Sequence, residues 1–589
     1  MRKASKVLLA LVFALTAITG SAGLAFAITA RPGPRTLLGA GGEPAYFRIR
    51  PNIVDLAESP AKVRPAGTAK ALVLLVDFRD KPAEREANTA EFFGQKLFSS
   101  EAGTLRSYFR ENSYGQFSLE GDVFGWLRGD CRHRDIVNRD LIAGTKDDHG
   151  LDTSSEALSP SLCEFPLNIW GLVKNAIVLA DTTVDFSAYD ADGDGYVDAL
   201  FIVHSGIGAE IVANQVNGHS EDYIWSLQSD LDYYAPTRGT SADGVRIGPF
   251  LIVPELSEIG VFAHEFCHLL GLPDLYNSLT GESVAGDLCL MDGGAWLGPQ
   301  GGAGRVPCHL STFMKSILGW IEPQPVCLGC GGPDHVDGAR LQPLSRTATA
   351  YHLLTNPGGV DWTPDGRGQG EYFILENRQK RYGDFDSYLE GHGLVVWKID
   401  ESERSNNTPG RRLAEVIRAD GGSVDSDAGF GHIPGAPSDF WPGTLGKYAF
   451  TPYSEPPSNL GRNRFSGVSV ENIVEDVAGQ VSADLRIGLA QRGSTYAYPN
   501  PYNLSETAPM RIVFLPEIGP AEPYNFEVTV FDLEGNPVRV LDGPGEVQTD
   551  GTALWDGRND NGSAVRPGLY IYYARSSGQE ASGIVAIKP

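Results

Sequence analysis

Cysteine, methionine and histidine are all scarce in this chain of 589 residues, at 7, 4 and 11. Seven cysteines cannot supply the main framework of so long a chain, and an odd number leaves at least one thiol over. Positive charge is also short: 48 Lys and Arg stand against 74 Asp and Glu, a formal net charge of −26. Such a surface repels nucleic acid and anionic membranes, so neither is an expected partner. Beyond the N-terminus no apolar run is long enough for a transmembrane helix. Glycine and proline are plentiful instead, at 70 and 38. They imply many turns between short strands, and the length implies several domains.

The N-terminus has the form of an export signal. Arg2, Lys3 and Lys6 precede an apolar run over 7–16, and Ala25-Phe26-Ala27 is a small-x-small cleavage site. Residues 1–27 are read as a signal peptide, which places the mature chain outside the cell, secreted or at the cell surface. Residues 28–66 are rich in Pro and Arg without periodicity and are either a propeptide or a linker. In an oxidising compartment, Cys131 with Cys163 and Cys289 with Cys308 are expected bridges. Cys327-x-x-Cys330 is read as a local disulfide rather than a redox centre, and Cys267 as the unpaired thiol.

One stretch carries most of the chemistry. His264-Glu265-Phe266-Cys267-His268 is followed by Leu269-Leu270-Gly271-Leu272-Pro273-Asp274. Positions four apart share a helix face, so His264 and His268 can direct two imidazoles at one zinc ion. Glu265, beside the first ligand, can act as general base toward a water that zinc activates. Gly271 can end the helix in a left-handed conformation and Pro273 prevents its resumption. The chain can then return Asp274 as a third ligand, leaving one position open as a catalytic zinc requires. His309 is the rival for that third place. The bare pentapeptide pattern arises by chance in about one chain in a hundred of this length and histidine content. Met291, in Leu290-Met291-Asp292-Gly293-Gly294, suits a turn that floors such a site.

These segments resemble the secreted metallopeptidases of the immune inhibitor A family, within a metzincin-like architecture. The resemblance rests on AHEFCHLLGLPDLY at 263–276, LMDGGAW at 290–296, HLSTFMKSILGW at 309–320 and SYFRENSYGQFSLEGDVFGW at 107–126. It extends to EYFILENRQ at 371–379 and GLVVWKID at 393–400, so it covers roughly 67–485. It implies a zinc endopeptidase with His264 and His268 as ligands and Glu265 as catalytic base. Two positions depart from the family: Cys267 stands where Gly is usual, and Lys398 where His is frequent.

The patterning places these motifs. Residues 71–78 (ALVLLVDF) read as a buried strand, 105–114 as a helix, 117–126 as strands, 166–181 as a helix and 199–203 as a further buried strand. The catalytic domain, 67–325, is therefore α+β. Asp190, Asp192, Asp194 and Asp198, with Tyr196 offering its carbonyl, have the spacing of a calcium loop, although position 12 is Phe201 rather than Glu. The plain alternative is an acidic turn. Asp420, Asp425, Asp427 and Asp439 mark a second acidic region. His204, leaving a strand, either lines the cleft or is a hydrogen-bonded structural residue.

Residues 326–490 read as a β-rich region continuous with the peptidase resemblance. Residues 491–589 form a separate unit, with Phe526, Val528 and Val530 alternating on a strand and a hairpin turn at Glu534-Gly535-Asn536. This unit is similar to the immunoglobulin-like modules related to the flagellar hook-capping protein, which implies a β-sandwich serving secretion, surface attachment or stability alone. The expected function is zinc-dependent endopeptidase action on extracellular proteins or peptides, with zinc as cofactor and calcium as a structural ion. The alternative is a non-catalytic adhesion or surface protein built on the same scaffold. The intact Glu265 argues against that alternative.

Overall fold

A computed structural model describes residues 63–589, except 130, 138–167, 213–222, 235–239, 301, 328–331, 355–361, 364–367, 369, 423–433, 453, 462–463, 465, 489–494, 499, 506–508, 515–525, 544, 548–551 and 577–578. The first part is organised on a five-stranded sheet. Its strands are β1 (Gly67–Asp77), β2 (Phe117–Arg128), β3 (Ala199–His204), β4 (Leu227–Asp230) and, after a small hairpin of β5 (Thr240–Ala242) and β6 (Val245–Ile247), β7 (Pro249–Pro254). Their order is β2-β1-β3-β7-β4. The first four run parallel and β4 closes one edge antiparallel.

The unbroken apolar run of β1 follows from burial on both faces. Ala71, Val73 and Leu75 enter a core shared with the helices Leu105–Asn112 and Ile259–Leu269. Leu72, Leu74 and Val76 enter a second core with the helix Ile169–Ala180. The helix Ile259–Leu269 is pinned from both sides. Phe266 lies 4.9 Å from the Phe109 ring and stacks on Phe117 at 6.1 Å. At Gly260 a Cβ would fall 1.9 Å from the carbonyl oxygen of Ala295, so only glycine permits the approach.

Element boundaries differ from the sequence expectation: the strand expected over 71–78 is Gly67–Asp77, and the one expected over 199–203 runs on to His204. The helix expected over 105–114 stops at Asn112, because Ser113 turns its hydroxyl to the amide of Phe117 and Tyr114 and Gly115 take φ of 55° and 79°. The helix expected over 166–181 is Ile169–Ala180, started by the Asn168 side chain accepting from Gly171 N–H. The strands expected over 117–126 are one strand that continues to Arg128.

The second part adds β8 (Gln324–Val326), β9 (His335–Leu341), β10 (Ala350–Leu353), β11 (Glu371–Arg378), β12 (Gly393–Asp400), β13 (Ala414–Ile417), β14 (Val468–Glu475) and β15 (Val481–Ile487). They form sheets of order β13-β12-β11-β10-β8 and β14-β15-β9. Alternation along β11 and β12 divides their side chains between two cores. Tyr372, Ile374, Val395, Trp397 and Ile399 join the core of the helix Ile259–Leu269. Phe373, Leu375, Leu394 and Val396 meet Val468, Val470 and Leu485 on the other face. The β-rich region is thus packed into the first part rather than hung from it.

The last part holds a three-stranded sheet, β16-β18-β21 (Thr495–Tyr498, Met510–Phe514, Thr552–Trp555). Facing it is a five-stranded sheet, β17-β23-β22-β19-β20 (Tyr502–Asn503, Gln579–Lys588, Gly568–Ser576, Glu527–Phe531, Pro537–Leu541). The two sheets enclose one core, with Ile512, Phe514 and Trp555 from the first and Val528, Val530, Tyr572 and Val585 from the second. Among the described residues no helix is long and apolar enough to cross a membrane.

The expected Cys289–Cys308 bridge does not form. Both are free buried thiols, as is Cys267. Cys308 Sγ donates to the carbonyl of His309 at 3.2 Å and Cys289 Sγ accepts from Ser311 N–H at 3.5 Å. Cys131 and Cys327 are disulfide-bonded, while Cys163 and Cys330 lie outside the described residues.

Candidate metal centre

His264 and His268 lie on successive turns of one helix, with ring centroids 4.9 Å apart and planes at 88°. Each ring is oriented through Nδ1. That of His264 donates to the carbonyl of Leu290 at 3.0 Å, and that of His268 to the carbonyl of Leu272 at 2.8 Å. With the proton on Nδ1, the lone pair of each Nε2 faces outward, the tautomer a metal ligand needs. The helix ends where Gly271 takes φ of 91°, its N–H bonding His268 O at 2.9 Å while Leu272 N–H bonds Cys267 O at 3.0 Å. The reversal carries Asp274 back over the helix, and Leu275 N–H fixes the return by donating to Met291 O at 2.8 Å.

Asp274 Oδ1 then lies 3.2 Å from His264 Nε2 and 3.3 Å from His268 Nε2. Two ligands of a tetrahedral ion with bonds of about 2.0–2.1 Å are separated by roughly 3.3 Å, so this donor set fits zinc. The electrostatics agree. Burial pulls the His264 pKa down, but the Asp274 carboxylate and Glu265 outweigh it and raise it to about 9. Converging donors that hold a proton this firmly are a place for a divalent cation to replace it.

Glu265 is buried beside the ligands, and burial lifts its pKa above the ordinary carboxylate value against the pull of both histidines. A second buried carboxyl, Glu210, accepts from the hydroxyl of Ser226 at 2.7 Å and its N–H at 3.2 Å. Burial raises it to about 7, with Glu265 adding repulsion. No spacing in the sequence marks Glu210; only the fold brings the two carboxyls into electrostatic reach.

His309 lies elsewhere. Its Nε2 meets Glu111 Oε1 at 2.7 Å and its Nδ1 accepts from Lys315 Nζ at 3.0 Å. Met291 is fully buried, in the same core as Phe262 and Phe266. Its neighbour Asp292, which the sequence reading passed over, gathers the loop by accepting from Ser283 Oγ and the N–H groups of Val284, Ala285 and Gly286. Lys398 pairs with Glu415 across β12 and β13. His204 is fully buried, with Nδ1 3.2 Å from Ser205 O.

In the acidic loop, Asp190, Asp192 and Asp194 bring carboxylate oxygens within 4.8 Å of one another. Gly193 and Gly195, at φ of 75° and 89°, make the tight turn. Asp198 is not one of the three; its oxygens accept from Lys70 N–H at 2.8 Å and from Ala191 N–H, within the loop, at 3.1 Å. Burial, with added repulsion from neighbouring acids, raises the pKa of both Asp194 and Asp198. In the second acidic region Arg418 lies 3.1 Å from Asp420 and 3.6 Å from Asp439, so a side-chain cation already sits between them. Asp425 and Asp427 lie outside the described residues.

Comparison with known proteins bears on the same segment. Residues 61–321 match the family described as Immune inhibitor A peptidase M6, catalytic domain. The chain is 29% identical over 297 residues to Immune inhibitor A of Bacillus thuringiensis subsp. alesti, covering 42% of this chain and 40% of that protein. It is 27% identical over 311 residues to the pre-pro-metalloprotease PrtV of Vibrio cholerae, covering 45% and 32%. The chain thus spans well under half the length of these relatives. A solved structure of PorZ, a surface component of the type-IX secretion system of Porphyromonas gingivalis, is similar over 33% of this chain and 21% of its own. Its identity is 14% and its TM-score 0.14, which bears no argument about fold.

Proposed function

We propose that the protein is a secreted zinc metalloendopeptidase acting on extracellular proteins or peptides. The observation that carries this reading is the meeting of His264 Nε2, His268 Nε2 and Asp274 Oδ1 at 3.2 and 3.3 Å, with Glu265 adjacent. The match of residues 61–321 to the peptidase M6 catalytic domain supports it, as does the likeness to two metallopeptidases. His264, His268 and Asp274 would hold the ion, which supplies Lewis acidity toward a peptide carbonyl and a water molecule. Glu265 takes the proton of that water and returns it to the departing amine. Its burial favours this role, because a carboxylate whose pKa is raised is a stronger base. The Nδ1 bonds to Leu290 and Leu272 hold both imidazoles in register throughout. The Asp190–Asp194 oxygens would hold a structural calcium ion.

Casein digestion by the purified protein, with and without a zinc chelator, tests the reading. Cleavage that the chelator stops and added zinc restores is expected. Absence of cleavage by a zinc-loaded protein across casein, gelatin and peptide libraries would leave the non-catalytic surface protein as the better account.

A further inference from the structure

The ligand-bearing segments do not hold themselves in place. Main-chain groups fix His264 on the helix and Asp274 beyond it: Leu290 O orients His264, and the Leu275–Met291 bond fixes the return that carries Asp274. Leu288 and Leu290 belong to one loop and His309 to another, joined where Leu290 N–H bonds His309 O at 3.4 Å. The helix Leu105–Asn112 grips the second loop through Tyr108 and Asn112, which bond Cys308 O and Leu310 N–H, and a further set of grips comes from the β-rich region.

Arg378, at the end of β11, is fully buried. Its Nη1 donates to Leu288 O at 2.6 Å and its Nη2 lies 3.5 Å from His309 O. The guanidinium is held by Asp386 through two bonds, of 2.8 and 2.6 Å, and by Glu376 at 3.1 Å. The same two carboxylates reach onward, Asp386 to His309 N–H at 2.9 Å and Glu376 to Thr312 N–H at 2.6 Å. Separately, Asn406 Nδ2 donates to Leu275 O at 2.8 Å and to Ala414 O at 2.7 Å, and its Oδ1 accepts Ala414 N–H at 3.0 Å.

Resting on the zinc reading, we propose that Arg378 and Asn406 are positioning residues for the metal centre, Arg378 acting on His264 through the 288–290 loop and Asn406 on Asp274 through Leu275. Burying a charged guanidinium between two carboxylates is expensive, and apolar packing of equal volume generally stabilises as well or better. What the charged cluster adds is direction: the planar fork addresses two main-chain carbonyls at fixed angles, and every partner is itself tied to backbone. An apolar side chain cannot aim a carbonyl. The β-rich region thus completes the site, since within the segment 259–274 only His268 finds its orienting carbonyl, that of Leu272.

The test uses the full chain carrying Glu265→Gln, so that self-digestion cannot interfere. Arg378→Lys and Asn406→Ala are compared with a control, Arg418→Lys, which alters another buried arginine of the same region, paired with Asp420 and Asp439. Zinc affinity is measured by chelator competition, and ligand geometry by the visible absorption of the cobalt-substituted protein. Loss of outer partners of metal ligands typically weakens metal binding by about 10–100-fold. Arg378→Lys and Asn406→Ala should each weaken zinc roughly tenfold or more and shift the cobalt bands. Arg418→Lys should lower the melting temperature with affinity and spectrum unchanged. A parent that binds while both variants bind equally well with the parent's spectrum overturns the positioning role alone. A parent that binds neither ion removes the zinc reading, and this proposal with it. Failure of both variants to fold while Arg418→Lys folds would make the two residues elements of stability only and overturn the proposal too.

Discussion

His309 Nε2 lies 2.7 Å from Oε1 of Glu111, and that bond decides how the third-ligand question is put to the test. With Nδ1 receiving Lys315 at 3.0 Å, both nitrogens of His309 are committed, whereas Asp274 faces His264 and His268. Asp274→Ala should therefore lose zinc and proteolysis together, since two imidazoles alone hold zinc weakly. His309→Ala should keep its zinc, although the loss of a buried partner for Lys315 should lower stability by about 1–3 kcal/mol. Metal analysis of both variants settles it: zinc retained in Asp274→Ala and lost in His309→Ala would reverse the assignment.

Glu265→Gln should bind zinc as the parent does and lose nearly all proteolysis. The amide keeps the shape and cannot take the proton. General-base catalysis typically contributes about 10²–10⁴-fold, so kcat should fall by at least that range's lower end while KM changes little. Near-normal turnover in purified Glu265→Gln would assign the base elsewhere, with Glu210 the next carboxyl to examine.

The pentapeptide of the candidate metal centre and its Gly271 turn were legible because their geometry is local: a four-residue spacing and one left-handed position encode them. So was β1, whose apolar run reflects two buried faces. The supports of the site were not legible. Arg378, Asp386 and Asn406 lie about 70 to 130 positions from the loops they hold, and no short-range pattern encodes such a pairing. The same limit applies to Cys289 and Cys308, whose even-looking pair suggested a bridge although each thiol has a backbone partner instead. Residues 326–490 read as β-rich, but nothing in the run Tyr372-Phe373-Ile374-Leu375 tells that alternate side chains of β11 enter the core of the helix Ile259–Leu269 and a separate core.

Two buried histidines away from the metal centre predict acid lability. Among the described residues the Nε2 atoms of His133 and His204 have no hydrogen-bond partner, and burial pulls both pKa values down to about 3. In the unfolded chain they titrate near 6.5. Between those values the unfolded state binds more protons, so the stability they contribute is present above about pH 6.5 and is lost as pH falls toward 3. Each can add at most about 1.4 kcal/mol per pH unit to that slope. In a Glu265→Gln background, His204→Leu should flatten the fall in melting temperature between pH 6.5 and 4. Parallel pH curves for parent and variant would show that these imidazoles do not set the acid limit.

The loop at Asp190 leads directly into β3, the strand beside β1 at the centre of the sheet. Three of its carboxylates gather within 4.8 Å, and Arg64 reaches one of them, Asp192, at 3.0 Å. A calcium ion would relieve that repulsion and stabilise the folded state in proportion to its occupancy, by about 2.7 kcal/mol at a hundredfold excess over Kd. Calcium is therefore expected to raise the melting temperature and to slow autolysis without entering the chemistry. Asp192→Ala combined with Asp194→Ala should abolish most of that gain while zinc binding survives. Asp198→Asn should keep most of it, because Asp198 serves Lys70 and Ala191 N–H groups rather than the cluster. Melting curves with and without millimolar calcium, again with Glu265→Gln, give the answer. An equal calcium response in parent and double variant would move the ion to another site, and no response in either would reduce the segment to an acidic turn.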